Sequence, residues 1–569
     1  MNPNNIPFFL SPAASETTSL PSGRSGRRRR SLLLLGALSA CALVLSGLGT
    51  AATELGATFN PSNGQVEVTL NGGTGRWHCV EASTNLLTWG AVTNLYQANP
   101  SSLAWTDAGA SNCPQNFFRS RDLTTALDRY VAAPDTNYSY SLSNTISGAG
   151  YTAYALELRS QVWLTTNEVD RVLWKHWLVI ITPANATNSQ SFLWIDGGSN
   201  PSSPPTGSDS TLLFLAQVAL DTKTVVSWLK MVPNEPLTFA GETSSRTEDG
   251  IIVYTWDKYM KTGDERWPAR LPMTKAAVRA MDTVTTFCAG LPGGGLTVDK
   301  FVVGGGSKRG WTTWTTAAVD RRVIAIIPAS IDVLNVGACL VHQYCAYGDW
   351  SYAIADYTTM GIMTNYGTPQ FDALMNIEDP YSYRARLTMP KFELYGAGDQ
   401  YFLPDSSQFY FNDLPGVKYM RCIPNVDHSL NDGAPIPDAY YNLWAYYQSI
   451  LLKTPLPQLT WTLQFSNTVR VVTSGAPSPS SVTLWQATTT TTNRDFRLST
   501  IGTTWQSKAA TDLGGGVYLG VADNPAQGAW RAFFVELIYN RSPLQPLKFT
   551  TQVYVVPDTL PHTWPPPPP

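Results

Sequence analysis

The chain has 569 residues, too many for one hydrophobic core and long enough for roughly two to four domains. Charged residues make up 14% and the 39 basic and 42 acidic side chains leave a formal charge of −3. That balance excludes a general electrostatic attraction to nucleic acid, and the Gly-, Pro- and Trp-rich usage is that of an exported β-rich or α/β protein.

The first element is a leader-like segment, residues 1–52. Arg27, Arg28, Arg29 and Arg30 abut the apolar run SLLLLGALSACALVLSGLG, which ends in the small residues Thr50 to Ala52. A positive flank, an apolar stretch and small residues together read as an export signal. The alternatives are a retained anchor over Leu32 to Leu48, a twin-arginine route, or a lipoprotein cleavage box at Leu38 to Cys41.

Residues 57–121 form a small β module in this reading. Val66, Val68 and Leu70 alternate with polar residues before a second apolar set around Trp105 and Phe117. The stretch WHCVEASTNLLTWGAVTNL followed by FFRSR resembles small β modules that decorate exported proteins of some environmental bacteria. The resemblance implies an accessory or surface-binding module and names no ligand; a polysaccharide or a cell-surface group is the expectation for it.

Residues 123–455 read as an α/β domain. WLVIITP, SFLWIDGG, FVVGGG, VIAIIPA and MPKFELYGAG are short, continuous and apolar, as buried parallel strands are. Helix-length amphipathic segments lie between them: TLLFLAQVAL, MTKAAVRAMDTVTTF and YYNLWAYYQSILLK. The order predicts a central parallel sheet. From 456 to 557 the period changes, with Trp461, Leu463 and Phe465 alternating, and predicts a separate β-sandwich-like domain. Residues 558–569 are a Pro-rich tail.

Six cysteines follow the leader. Cys79 and Cys113 are expected to pair, and Cys288, Cys339, Cys345 and Cys422 allow three complete pairings. Cys339, His342 and Cys345 invite a metal reading, but residues six apart on a helix diverge and no fourth ligand suggests itself, so they are read as structural.

The segment FVVGGGSKRGWTTW carries the chemistry. A strand ending in glycines, then Ser307, then a helix from about Arg309 is the context of a nucleophile elbow. The spacing is G-x-S-x-x-G, from Gly305 to Gly310, one residue longer than the common form. A serine needs a histidine to take its proton. Of the five histidines, His78, His176, His342, His428 and His562, only His428 follows a late strand of the α/β domain, as the order Ser, acid, His requires. Asp399, just past MPKFELYGAG, is the acid, with Asp405 in the same loop as the alternative and Asp427 less suited beside the histidine. The oxyanion donors are the Lys308 amide and the glycine pair Gly197 and Gly198 after SFLWI. Lys308 and Arg309 are read either as contacts for an anionic substrate group or as partners of nearby carboxylates. Trp311, Trp314, Tyr401 and Phe402 are candidates for a substrate cleft or for the core.

The stretches GGGSKRGWTTWTTAAVDRRVIAIIPASIDVLN, DGIIVYTWDKYMKTGDERWPARLPMTKAAVRAMD, DPYSYRARLTMPKFELYGAGDQYFLPDSSQFYFNDLPG and YMRCIPNVDHSL resemble the PhoPQ-activated pathogenicity-related proteins, from about Tyr130 to Pro557. The resemblance implies an exported α/β-hydrolase-like fold with a Ser/Asp/His site coinciding with Ser307, Asp399 and His428. It implies no particular substrate, and residues 1–122 stand outside it. Sequence and resemblance together predict an exported serine hydrolase, an esterase or peptidase-like acyl hydrolase. Ser307 is its nucleophile, Arg309 and Trp311 its substrate contacts, and no metal or cofactor is called for. The competing expectation is a secreted binding or signalling protein on a hydrolase scaffold.

Overall fold

The computed structural model describes residues 54–564 apart from 61–64, 72–75, 85–86, 98–102, 108–116, 476 and 490–492. The leader segment, Cys113 and the last five prolines lie outside the described residues. Among the described residues, no helix is long and apolar enough to cross a membrane. The chain divides into two compact units, Met1–Ala132 and Ala133–Pro569.

The first unit holds two three-stranded antiparallel sheets. One is β1 (Glu54–Asn60), β2 (Gln65–Asn71) and β5 (Leu103–Asp107), and the other is β4 (Gly90–Gln97), β3 (Arg76–Ser83) and β6 (Phe117–Asp122). Val68, Leu70, Val80 and Phe118 form its core, and helix α1 (Ala126–Ala132) ends the unit. The residues of the EASTNLxxW and FFR pattern meet in space. Arg119 Nε lies 2.6 Å from Glu81, and its guanidinium stacks 4.3 Å from the Trp89 ring. The pattern is therefore an ion pair laid on an indole, a cation–π arrangement.

The second unit is built on one large sheet. It starts with β7 (Ser139–Gly148), β8 (Tyr151–Val162) and β9 (Leu173–Pro183). After them come β10 (Gln190–Ile195), helix α2 (Ser210–Thr222), β11 (Val225–Leu229), α3 (Glu248–Thr262) and α4 (Arg270–Ala289). Strand β12 (Lys300–Gly306), α5 (Lys308–Val319) and β13 (Val323–Ala329) follow. A cap segment then inserts α6 (Val336–Tyr347), α7 (Ala355–Thr359) and α8 (Pro369–Glu378) before β14 (Lys391–Gly396), β15 (Lys418–Ile423) and α9 (Asp438–Leu452). The strand order is β8-β9-β11-β10-β12-β13-β14-β15, with β7 outside β8. Strands β11, β10, β12, β13, β14 and β15 are mutually parallel, and β9 is antiparallel to both neighbours. This is the sheet of an α/β-hydrolase, with the crossing of β10 and β11 placing β10 against β12.

Two expectations need correction. WLVIITP belongs to β9 and is antiparallel; its sequence reads as a parallel strand because every residue from Trp177 to Ile181 is buried, whatever its direction. The break at 455/456 is not a break in the sheet. Strands β16 (Gln458–Gln464) and β17 (Thr468–Ser474) join β20 (Thr511–Asp512) and β21 (Val517–Val521) in a four-stranded sheet. However, β18 (Ser481–Thr488), β19 (Gln506–Ala509), β22 (Arg531–Arg541), β23 (Leu544–Thr550) and β24 (Tyr554–Val556) extend the central sheet beyond β15, through the pair Met420 and Thr550. Phe392, Tyr419 and Tyr446 share one core with Phe549, Val469, Leu484 and Val535. Arg421 crosses the joint to pair with Glu536 and, at 3.0 Å, with Asp438.

Cys79, Cys288, Cys339, Cys345 and Cys422 are buried free thiols, so the middle four do not pair with one another. His342 Nε2 lies 3.1 Å from Asp405 and 3.0 Å from Arg494 Nη1, a buried charge cluster instead of a metal set.

Candidate active site

Ser307 stands between β12 and α5 with φ 54° and ψ −124°, a conformation non-glycine residues avoid and functional elbows impose. Its amide donates to Ala329 O at 2.8 Å, and its carbonyl accepts from Trp311 N at 2.9 Å. The helix must start hard against the sheet. A Cβ on Gly305 would fall 2.8 Å from Arg309 O, and one on Gly310 would fall 2.7 Å from Ala329 O. The second glycine of the motif is therefore at 310, because that position of α5 touches β13.

The helix is pinned from behind by buried Arg270. Its Nη1 donates to Lys308 O at 2.8 Å, its Nε pairs with Glu378 at 3.3 Å, and its guanidinium lies 4.5 Å from the Trp311 ring.

His428, in the loop after β15, brings Nε2 to 2.8 Å from Ser307 Oγ and Nδ1 to 2.8 Å from Asp399 Oδ2. Asp399 follows β14 and is 2% exposed. Its Oδ1 accepts from the amides of Tyr401 at 2.7 Å and Phe402 at 3.3 Å, which fixes the carboxylate while Oδ2 faces the imidazole. Ser330 Oγ donates to His428 O at 2.7 Å, and Gln400 Oε1 accepts from His428 N at 3.2 Å. With Asp399 accepting at Nδ1–H, Nε2 is left unprotonated and faces the serine hydroxyl.

The alternative acids are engaged elsewhere. Asp405 is held by His342 and by Arg494 Nη2 at 2.7 Å. Burial opposes its charge, yet His342 and Arg494 keep its carboxyl well below the usual range. Asp427 accepts from Ser429 at 2.9 and 2.6 Å.

The Lys308 amide is the first of α5 and has no carbonyl four residues back within the helix. Parallel pairing sets Ile195 beside Gly305, so the turn Asp196–Gly198 leaves the sheet next to the elbow. The Gly197 amide donates to Asp196 Oδ1 at 2.8 Å, and Gly198 has φ 117°.

Arg309 does not line the cavity beside Ser307. Its guanidinium forms a fork with Glu248, at 2.9 and 2.6 Å, and donates to Val232 O. Lys308 Nζ pairs with Asp249 at 3.0 Å and Glu248 at 3.2 Å. Burial opposes the charge of Glu248, but the two cations lower its pKa, whereas burial and the charge of Glu248 push Glu235 up to about 7. Glu235, Glu248 and Asp249 carry no mark of this role in the sequence, since Glu248 and Arg309 are 61 positions apart.

A cavity opens beside Ser307, walled by α3, α5, the cap and the loop after Asp399; Trp311, Tyr401 and Phe402 line it. Trp314 is fully buried in the core. His176 is also buried, bonded to Ser160 Oγ at 2.9 Å and to the carbonyls of Lys230 and Met231, and has no part in the cavity.

A sequence signature described as PhoPQ-activated pathogenicity-related protein matches residues 127–497. Autocrine proliferation repressor protein A of Dictyostelium discoideum is 39% identical over 462 residues, covering 77% of this chain and 92% of that protein. Among solved structures, acetyl xylan esterase 1 from Thermoanaerobacterium sp. JW/SL YS485 shares 16% identity over 57% of this chain and 91% of its own, with a TM-score of 0.39. A glucuronoyl esterase from Solibacter usitatus shares 14% over 57% and 90%, with a TM-score of 0.33.

Proposed function

Since the chain belongs to the PhoPQ-activated pathogenicity-related protein family, we propose that it is an exported serine hydrolase, an esterase or peptidase-like acyl hydrolase. The observation that carries this reading is the unbroken relay from Asp399 through His428 to Ser307, two contacts of 2.8 Å ending at a serine in a strained elbow.

His428 Nε2 takes the Ser307 proton as Oγ attacks the substrate carbonyl carbon. The tetrahedral oxyanion accepts from the Lys308 amide and from the Gly197–Gly198 turn, where each donor contributes about 3 kcal/mol to the transition state. The bond to the leaving group breaks as His428 returns the proton to the leaving oxygen or nitrogen, and an acyl-Ser307 ester remains. Water, deprotonated by His428, attacks that ester; the acid departs and the serine regains its proton. Asp399 keeps the imidazole in one tautomer and stabilises its charged form. The export half of the reading is supported by the Arg27–Arg30 run ahead of its apolar stretch.

Labelling of the purified mature protein with a fluorophosphonate probe tests the reading. The wild type is expected to label, and Ser307→Ala and His428→Ala, each checked for folding by circular dichroism, to remain dark. A folded wild type that stays dark would turn the reading to a binding or signalling protein on a hydrolase scaffold.

A further inference from the structure

The cavity beside Ser307 is largely apolar, and its charged and amide groups are already spoken for. The α3, α5 and cap walls present Trp256, Trp311, Val336, Leu340 and Ile362. The charged side chains lining it are Asp249 and Lys308, which pair with each other at 3.0 Å. Lys308 also meets Glu248, and Asp249 Oδ1 accepts from Tyr357 OH at 3.2 Å. The single amide in the lining, Gln343, donates to Tyr401 O at 2.8 Å and accepts from Ser351 N at 3.1 Å. A substrate that enters therefore meets no unpaired charge or amide among the described residues. An ionised group placed there would lose its water for nothing, whereas a hydrocarbon chain would gain contacts.

Which half of the substrate goes in follows from His428. Its Nε2 must reach the leaving atom, so the leaving group departs along the imidazole. His428 is not part of the cavity wall, whereas Ser307 and Lys308 are. The group that remains on the serine is the one facing the cavity.

We propose that this cavity is an acyl pocket, and that the enzyme selects uncharged, apolar acyl chains over acetyl and over acyl groups bearing a carboxylate. The proposal rests on the serine hydrolase reading.

The test uses inactivation of the full mature chain by a series of p-nitrophenyl ethyl alkylphosphonates, in which Ser307 Oγ displaces p-nitrophenolate from phosphorus and the alkyl chain takes the acyl position. A carboxyethyl phosphonate supplies the charged member. The second-order rate constant is expected to rise about tenfold or more from methyl to hexyl, and the carboxyethyl member to react more slowly than propyl. Leu340→Trp, with Val336→Phe as a second choice should the first not fold, is expected to move the optimum to a shorter chain. Equal rates along the series, a methyl optimum, or a faster carboxyethyl member would overturn the acyl pocket while leaving the hydrolase reading intact. Failure of every member to react with the folded protein would overturn the hydrolase reading and the pocket with it.

Discussion

Arg309 occupies the space that a side chain on Gly197 would need: a Cβ built there would lie 2.6 Å from Nη2. The guanidinium cannot easily yield, because Glu248 and Val232 O hold it. In Gly197→Ala the turn beside the elbow must move instead. Because the turn sits at the end of β10, outside the core, the fold is expected to survive. The fluorophosphonate labelling rate is expected to fall by about a hundredfold, the scale of losing one oxyanion donor. A variant that labels at the wild-type rate would remove this turn from the oxyanion site.

The two loop carboxylates separate chemistry from stability. Asp399→Asn keeps the shape but reverses the hydrogen-bond demand at His428 Nδ1, so ester turnover is expected to drop by about 10³ to 10⁴ with little change in melting temperature. Asp405→Asn leaves buried Arg494 without its counter-charge and is expected to cost about 3 to 5 kcal/mol of stability. Urea unfolding and turnover measured on both variants check this. An active Asp399→Asn and an inactive but stable Asp405→Asn would exchange the two assignments.

Ser307, Asp399 and His428 were legible because each is marked locally: glycines before a helix, an acid one loop past an apolar strand, and a scarce residue type late in the domain. Arg309 was not. As a cation beside the nucleophile it suits a substrate anion equally well, and only the fold brings Glu248 to it. Trp311 and Trp314 are three positions apart on α5, yet one reaches the cavity and the other is fully buried, a distinction set by what packs on the helix. The direction of β9 was hidden for a related reason, since burial on both faces erases the alternation that marks an antiparallel strand. The C-terminal strands do alternate, which made them look independent; their union with the sheet lies in contacts such as Tyr419 with Phe549, whose rings stack at 4.3 Å.

That union predicts the result of truncation. A chain ending at Pro455 would lose Phe549 from its place against Phe392 and Tyr419, and Arg421 would lose Glu536. Uncovering several aromatic side chains removes about 1.5 to 3 kcal/mol each, against a typical total stability of about 5 to 15 kcal/mol. The truncated protein is expected to be insoluble or to melt without cooperativity in calorimetry. A soluble, cooperatively melting and probe-reactive 133–455 fragment would show that the α/β part stands alone.

Stability should also depend on a proton at Glu235. Its Oε2 accepts from the Glu248 amide at 2.6 Å, and its carbonyl accepts from Asn200 N at 2.6 Å, which ties it to the turn carrying Gly197 and Gly198. Burial and the neighbouring Glu248 charge raise its pKa to about 7, with Arg309 pulling the other way. In the unfolded chain a glutamate titrates near about 4.3. Between those values the folded state holds a proton that the unfolded state has released. The group's stabilising contribution is therefore complete below the unfolded pKa and is lost as pH rises through about 7. Glu235→Gln stays neutral and keeps an oxygen for the Glu248 amide. Scanning both proteins from about pH 4 to pH 9, the variant is expected to match the wild type at the acid end and to melt about 2 °C higher at the alkaline end. The difference between the two curves isolates this carboxyl, because the other titrating groups are common to both. A wild type that gains on the variant as pH rises would mean that Glu235 is ionised and that Arg309 outweighs Glu248 at this position.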